Sequence, residues 1–458
     1  MDSELVGSLQ FRLQQVFGGD HSVTNLHRLT GGASRETWAF TASQGDLHRE
    51  MILRRDPPAA PDGARMALEA AVSTAAGAAE IPVPRIYDCS SANTSGAGLG
   101  SSYIIMERIS GESLPRRLLR DDTFREIRKA LPYELGRLLA RLHQISGSQF
   151  TALPSEDPLE ALFLQYTATG SAVPILELAF QWLRGNRVTD CRKALVHGDF
   201  RNGNLIINER GVAGVIDWEL AHEGDPMEDL GWLCTKTWRF GSPEPVGGFG
   251  PREALFEGYF DECGVRPDPA AVRWWEVYGT LRWAVMCRVQ AFRHLSGQEF
   301  SVELLAIGRR LAECEHDLFD ELLASGRVRD FEYCRDPLYD SAFRAEVDSS
   351  NLYGSPTFAE MLTALTRYIS ELPRRNDEHD YLNRVAANVA KVVLREQIVG
   401  HAAEAAHAAR LSQLGFRTEA ELALALRESA VTADDSDVTD FMQEAIQARL
   451  LVANPAYR

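Results

Sequence analysis

Three residues in the middle of the chain have the types and spacing that phosphoryl transfer requires. Asp199 and Asn204 belong to Leu195-Val-His-Gly-Asp-Phe-Arg-Asn-Gly-Asn204, and Asp217 follows in Val215-Ile-Asp-Trp-Glu219. The reaction asks little covalent work of a protein. It needs an acid that orients an attacking hydroxyl and accepts its proton, and oxygen ligands that hold Mg²⁺ on the phosphates. Asp199 suits the first task, and Asn204 and Asp217 suit the second. The surrounding pattern can present them: a polar turn reaches Asn204, Leu205-Ile-Ile207 resumes an extended run, and Glu209-Arg-Gly211 turns it. Val215-Ile216 then leads into Asp217. This predicts a loop and a short hairpin with an acid at the end of its second strand. Asp and Asn are also ordinary turn formers, so the reading rests on a third ordered block, Gly224-Asp-Pro-Met-Glu-Asp-Leu230.

The His197-x-Asp-x-x-x-x-Asn204 spacing is that of a kinase catalytic loop. With the two later blocks it resembles the aminoglycoside/choline phosphotransferase family, in a bacterial branch that carries an extra helical domain at its C-terminal end. The resemblance covers residues 23–325. It implies an α+β, protein-kinase-like fold of two lobes: an antiparallel five-stranded N-lobe (residues 1–109) and a mostly helical C-lobe (residues 110–330) with the catalytic loop and acceptor pocket. A small all-α domain (residues 350–458) should follow. The implied activity moves the γ-phosphate of ATP, held by Mg²⁺, to a hydroxyl of a small molecule. The related branch that accompanies acyl-CoA dehydrogenases suggests a hydroxyacyl thioester or hydroxy acid. Aminoglycosides, choline-like alcohols and homoserine-like amino acids stay open. By the same resemblance His197 holds the loop without moving a proton, and Asp229 braces it from a helix start. The rival reading is a nucleotide-binding pseudokinase whose C-terminal helices form an interaction module.

The elements that must position these residues can be traced along the chain. Leu5, Leu9, Leu13, Val16 and Phe17 sit at helical spacing. Strands are expected over 23–29, 37–41 and 51–55, with Thr30-Gly-Gly-Ala-Ser34 between the first two. Gly31, Gly32, Ala33 and Ser34 could bring backbone N–H groups to phosphates, or form only a hairpin turn. The third strand offers Arg54 and Arg55 where kinases carry lysine. Arginine keeps the charge and can grip phosphate with two donors; position favours Arg54, with Glu69 on the next helix as partner. Tyr103–Ile109 is the last strand of the lobe. It ends at a hinge-like Ser110-Gly111, where backbone groups of Glu107 and Ile109 could hold adenine. Leu131, Leu135, Leu138, Leu139 and Leu142 predict a core-facing helix ending near His143, which reads as structural. By the resemblance, helices over 272–293 and 304–323 form one wall of the acceptor pocket. Their Arg282 and Arg288 stand among apolar residues, where an arginine needs a partner or an anion. Those two suit a carboxylate- or phosphate-bearing acceptor, unless they snorkel to solvent. Five helical periods fill 358–452 with no metal, nucleophile or phosphate motif.

Composition narrows the classes. The 458 residues are 45% hydrophobic and 25% charged, as in soluble globular proteins. A net charge of -17 argues against a nucleic-acid surface. No apolar run reaches membrane-spanning length, the acidic N-terminus lacks a secretion signal, and seven scattered cysteines suggest neither disulfides nor zinc. The expectation is a reduced cytoplasmic protein without membrane or nucleic-acid partners. A protein partner or self-association would fall to the C-terminal helices.

Overall fold

The computed structural model describes residues 2–29, 35–57, 61–90, 99–150, 153–154, 156–188, 192–323, 336–338, 358–372 and 378–457. Gly31, Gly32, Ala33 and Ser34 lie outside the described residues. The chain folds as two compact units, one of residues 1–155 and 188–276, the other of residues 156–187 and 277–458.

The first unit begins with helix Asp2–Phe17 and a five-stranded antiparallel sheet. Its strands are β1 (Ser22–Arg28), β2 (Glu36–Gln44), β3 (Leu47–Arg55), β4 (Ile86–Cys89) and β5 (Tyr103–Glu107), in the order β1-β2-β3-β5-β4. This is the protein-kinase-like N-lobe the sequence implies. Strand alternation divides the side chains between two faces. Met51, Leu53, Tyr103 and Ile105 form a core with Leu5, Leu9 and Leu13 of the first helix. Ile104 faces the other way and packs with Met66 and Ala70 of helix Gly63–Ala78. Arg12 pairs with Asp88 at 2.5 Å, and the Tyr103 hydroxyl donates to the same carboxylate at 2.8 Å, tying the first helix to β4.

Helix Arg125–Leu142 buries Leu131, Leu135, Leu138, Leu139 and Leu142, the face its spacing predicts. It crosses helix Arg252–Cys263 closely, because each contributes a glycine at the crossing. A Cβ added at Gly136 would stand 2.1 Å from the Leu255 carbonyl oxygen, and one at Gly258 2.0 Å from that of Tyr133. Next in the chain come β6 (Ala194–Val196), the hairpin β7 (Leu205–Asn208) and β8 (Gly211–Val215), then β9 (His222–Gly224) paired antiparallel with β6. Helix Met227–Cys234 follows.

In the second unit, helices Pro158–Ala168 and Pro174–Gly185 pack with Val302–Arg309 and Leu311–Leu323 and with the C-terminal helices Phe358–Ser370, Glu378–Gln413, Glu419–Arg427 and Ser436–Ala453. The periods over 381–399 and 401–414 form one helix, Glu378–Gln413. Gly400 does not interrupt it, since a helix tolerates a lone glycine at a cost of about 1 kcal/mol.

Candidate active site

The site is assembled by two short pieces of backbone, the loop between β6 and β7 and the end of β8. Asp199 is held on both carboxylate oxygens. Arg201 Nε and Trp232 Nε1 donate to its Oδ1 at 3.0 and 2.8 Å, and Asn204 Nδ2 donates to its Oδ2 at 2.6 Å. Asn204 Nδ2 also donates to the Asp199 carbonyl at 3.0 Å, so the amide is oriented with its Oδ1 away from Asp199. Asp217 begins a turn with φ 71 and ψ 61, the left-handed conformation that Asp adopts more readily than most residues. Such strain is characteristic of sites where one side chain must be aimed.

His197 is fully buried and joins the two pieces. Its Nδ1 accepts the Asp199 N–H at 3.1 Å, which leaves Nε2 to donate to the Ile216 carbonyl at 3.2 Å. Both ring nitrogens are engaged with backbone, so the imidazole has no proton to offer a substrate. Asp229, also fully buried, accepts the N–H groups of His197 and Gly198 at 2.9 and 3.0 Å and meets His143 Nε2 at 3.2 Å. Burial alone would raise its pKa, but His143 and the loop N–H groups hold it below the usual carboxylate range.

The sheet supplies the cations. Arg54 donates to Glu69 and, at 2.7 Å, to Asp217 Oδ1. Arg55 turns to the other face, to Glu36 at 2.6 Å and the Leu99 carbonyl at 3.0 Å. Arg54 is therefore the one placed with Asp217. Arg35, which sequence reasoning missed, binds Asp56 at 2.9 Å and the second oxygen of Glu69. Its only signal was its place directly after the glycine-bearing turn. Glu219 stands 3.4 Å from Arg35 and 3.6 Å from Arg54. Burial and the nearby Asp217 raise its pKa, against the pull of the two arginines.

A cavity of about 390 Å³ is lined by Arg54, Glu69, Glu107, Ile109, Asn204 and Asp217, among others. The Glu107 N–H is engaged with the Arg85 carbonyl at 2.9 Å, so any contact of Glu107 to a purine amino group falls to its carbonyl. Arg288, in the second unit, donates to the Ser171 carbonyl at 2.8 Å and lies over the Tyr166 ring at 4.8 Å. Arg282 is half-buried on helix Pro269–Leu295.

The donor set can be tested for Mg²⁺. Asp217 offers a carboxylate and Asn204 an oriented amide oxygen, both hard ligands. Mg²⁺ commonly takes one or two protein oxygens and completes its octahedron with phosphates and water. Two arginines face four carboxylates here (Asp56, Glu69, Asp217 and Glu219), an excess of negative charge that a divalent cation offsets. No group of three or more His, Cys, Asp or Glu among the described residues could hold a metal alone. The residues fit a metal that arrives with a nucleotide.

The fold and this cluster define a kinase-like phosphotransferase. The model of the phosphotransferase enzyme family matches residues 25–275, over half of the chain, and the chain belongs to that family. A second model, a domain of unknown function (DUF6285), matches residues 373–457. Among solved structures, a Ralstonia eutropha protein provisionally described as an aminoglycoside phosphotransferase superposes with a TM-score of 0.56 at 22% identity. That match covers 69% of this chain and 97% of the other. Acyl-CoA dehydrogenase family member 10 of Mus musculus is 28% identical over 47% of this chain. Acyl-CoA dehydrogenase family member 11 of Homo sapiens is likewise 28% identical over 47%. The matches span 21% and 28% of those relatives' own lengths. Among the described residues no helix is long and apolar enough to cross a membrane.

Proposed function

We propose that the protein is an ATP- and Mg²⁺-dependent small-molecule kinase that phosphorylates a hydroxyl group. The observation that carries this is the convergence of Arg54, Asn204 and Asp217 on one cavity, with Asp199 hydrogen-bonded to Asn204. Asn204 and Asp217 hold the metal, whose role when bound is to neutralise charge on the phosphates. Arg54, set by Glu69, binds phosphate oxygens, and the backbone at Glu107 and Ile109 takes the base. Gly31, Gly32, Ala33 and Ser34 contribute backbone N–H groups to the phosphates. Asp199 orients the acceptor hydroxyl and takes its proton, while His197 and Asp229 keep the loop in place. The reaction belongs to residues 1–330, and residues 350–458 contribute no chemistry of their own. The protein works in the cytoplasm.

The acyl-CoA dehydrogenase names of the curated relatives support a hydroxyacyl thioester or hydroxy acid over an aminoglycoside as acceptor.

Nucleotide titration tests the core of the reading. MgATP should bind the wild type, and Arg54→Ala should weaken it by about tenfold, the loss of a charge-assisted phosphate contact. Equal affinity in wild type and variant would take Arg54 out of the phosphate site.

A further inference from the structure

Glu69 is shared between two arginines, one more than an ion pair with Arg54 requires. Arg54 donates to its Oε1, and Arg35 Nη1 donates to its Oε2. Arg35 stands one residue before β2. Its Nε donates to Asp56 Oδ1 at 2.9 Å, and Asp56 Oδ2 accepts the Asp62 N–H at 2.8 Å, where helix Gly63–Ala78 begins. Its Nη1 also stands 3.4 Å from Glu219, two residues after Asp217. Arg35 is thus fastened to that helix at its cap and at Glu69, and faces the turn that carries Asp217. Its side chain is 7% exposed, and Arg54 and Glu69 line the nucleotide cavity while Arg35 does not. The two arginines differ in what they are free to do. Arg54 also donates to Asp217 Oδ1 at 2.7 Å, and its phosphate role turns that donor from Asp217 to the nucleotide. Glu69, with only 5% of its side chain exposed, needs a cation that stays, because an unpaired buried charge is costly. Arg35, held by Asp56, is the one that stays.

We propose that Arg35 is a further positioning residue of the nucleotide site: it fixes Glu69, and through Glu69 it sets the guanidinium of Arg54 toward the phosphates. The arginine on β3 is what makes a second clamp useful. An ammonium is a compact charge with rotatable donors and needs only to be near a phosphate, whereas a guanidinium is a flat fork that must also face the right way. Glu69 can set that plane only if its own carboxylate is held at both oxygens, one by each arginine. Arg35 touches neither nucleotide nor acceptor, and no bond forms or breaks at it. This rests on the kinase reading.

A double-mutant cycle on MgATP affinity tests this without a known acceptor. Arg54→Ala should weaken binding by about tenfold, the loss of its phosphate contact. Arg35→Gln should weaken it by about fivefold or more, although it removes no contact to the nucleotide. The two losses should not multiply: the double variant should bind within about twofold of Arg54→Ala alone. Losses that multiply to about fiftyfold overturn the proposal, because Arg35 then acts by a route other than Arg54. A folded Arg35→Gln that binds as the wild type does also overturns it, and leaves Arg35 a strut of the fold. Arg35→Lys, which keeps the charge without the flat two-donor grip, takes its place in the cycle if the glutamine variant does not fold. If Arg54→Ala alone binds as the wild type does, Arg54 has no phosphate to be set toward and the proposal falls. A wild type that does not bind MgATP refutes the kinase reading itself.

Discussion

Asp229 never meets a substrate in this account, yet it fixes the backbone that presents Asp199. With both oxygens engaged and no solvent exposure, it cannot be replaced by an amide without leaving a loop N–H facing a poor acceptor. Asp229→Asn is expected to lower stability by about 2–4 kcal/mol, the loss of charge-assisted hydrogen bonds in a buried place. Its pKa is depressed in the fold, so the native state binds fewer protons than the unfolded chain below the usual aspartate value of 3.8. The stability gap between wild type and variant should be fully present above that pH and close as pH falls through the folded value. Denaturant titrations from neutral to acid pH check this; a gap that widens on acidification contradicts it. At this scale the sequence showed types and spacing well. Position favoured Arg54 over Arg55, but strand alternation could not decide between them, because Met51-Ile-Leu53 is apolar at every position and gives no parity. Trp232 as a donor to Asp199 was also hidden, although it stands three residues after Asp229 on the same helix. A tryptophan in an apolar helix looks like core.

Elements were the most legible level. The β7–β8 hairpin, the leucine face of helix Arg125–Leu142 and strands β1, β2, β3 and β5 follow from periodicity and turn residues. What periodicity could not show is how closely helices approach. Gly136 and Gly258 are ordinary letters in the sequence, but they place backbone against backbone where Arg125–Leu142 crosses Arg252–Cys263. Gly136→Ala or Gly258→Ala must push the helices apart, since the obstructing atoms are carbonyl oxygens that cannot rotate away. Each should cost about 3 kcal/mol, read as a shift of the denaturation midpoint. A midpoint unchanged or raised would mean that the helices are not held this close.

For the molecule as a whole, residues 378–457 are built into the second unit through buried polar contacts. Glu177 is 1% exposed, takes the Tyr166 hydroxyl at 2.7 Å, and is gripped by Arg427 at 2.9 and 2.5 Å. Arg449 pairs with Glu315 and Glu419, and Tyr457 donates to Asp317 at 2.6 Å. Helical spacing marks the apolar faces but cannot show which acid on one helix meets which arginine some 250 positions away. Arg427→Ala leaves Glu177 buried without its cation and should destabilise this unit by about 3 kcal/mol. Arg427→Lys should recover only part of that, because a lysine cannot reproduce the two-donor grip. Equal stability of Arg427→Ala and wild type would show that these helices do not depend on the pair.

The central claim is that Asp199, Asn204 and Asp217 transfer a phosphoryl group. The most direct measurement is transfer from γ-labelled MgATP into a pool of hydroxyacyl-CoAs, hydroxy acids, aminoglycosides and choline, with wild type and Asp199→Asn side by side. The account predicts a labelled product with the wild type, and none with the variant even though it still binds MgATP. Transfer that persists in Asp199→Asn, or a wild type that binds MgATP but labels no hydroxyl acceptor, would contradict it.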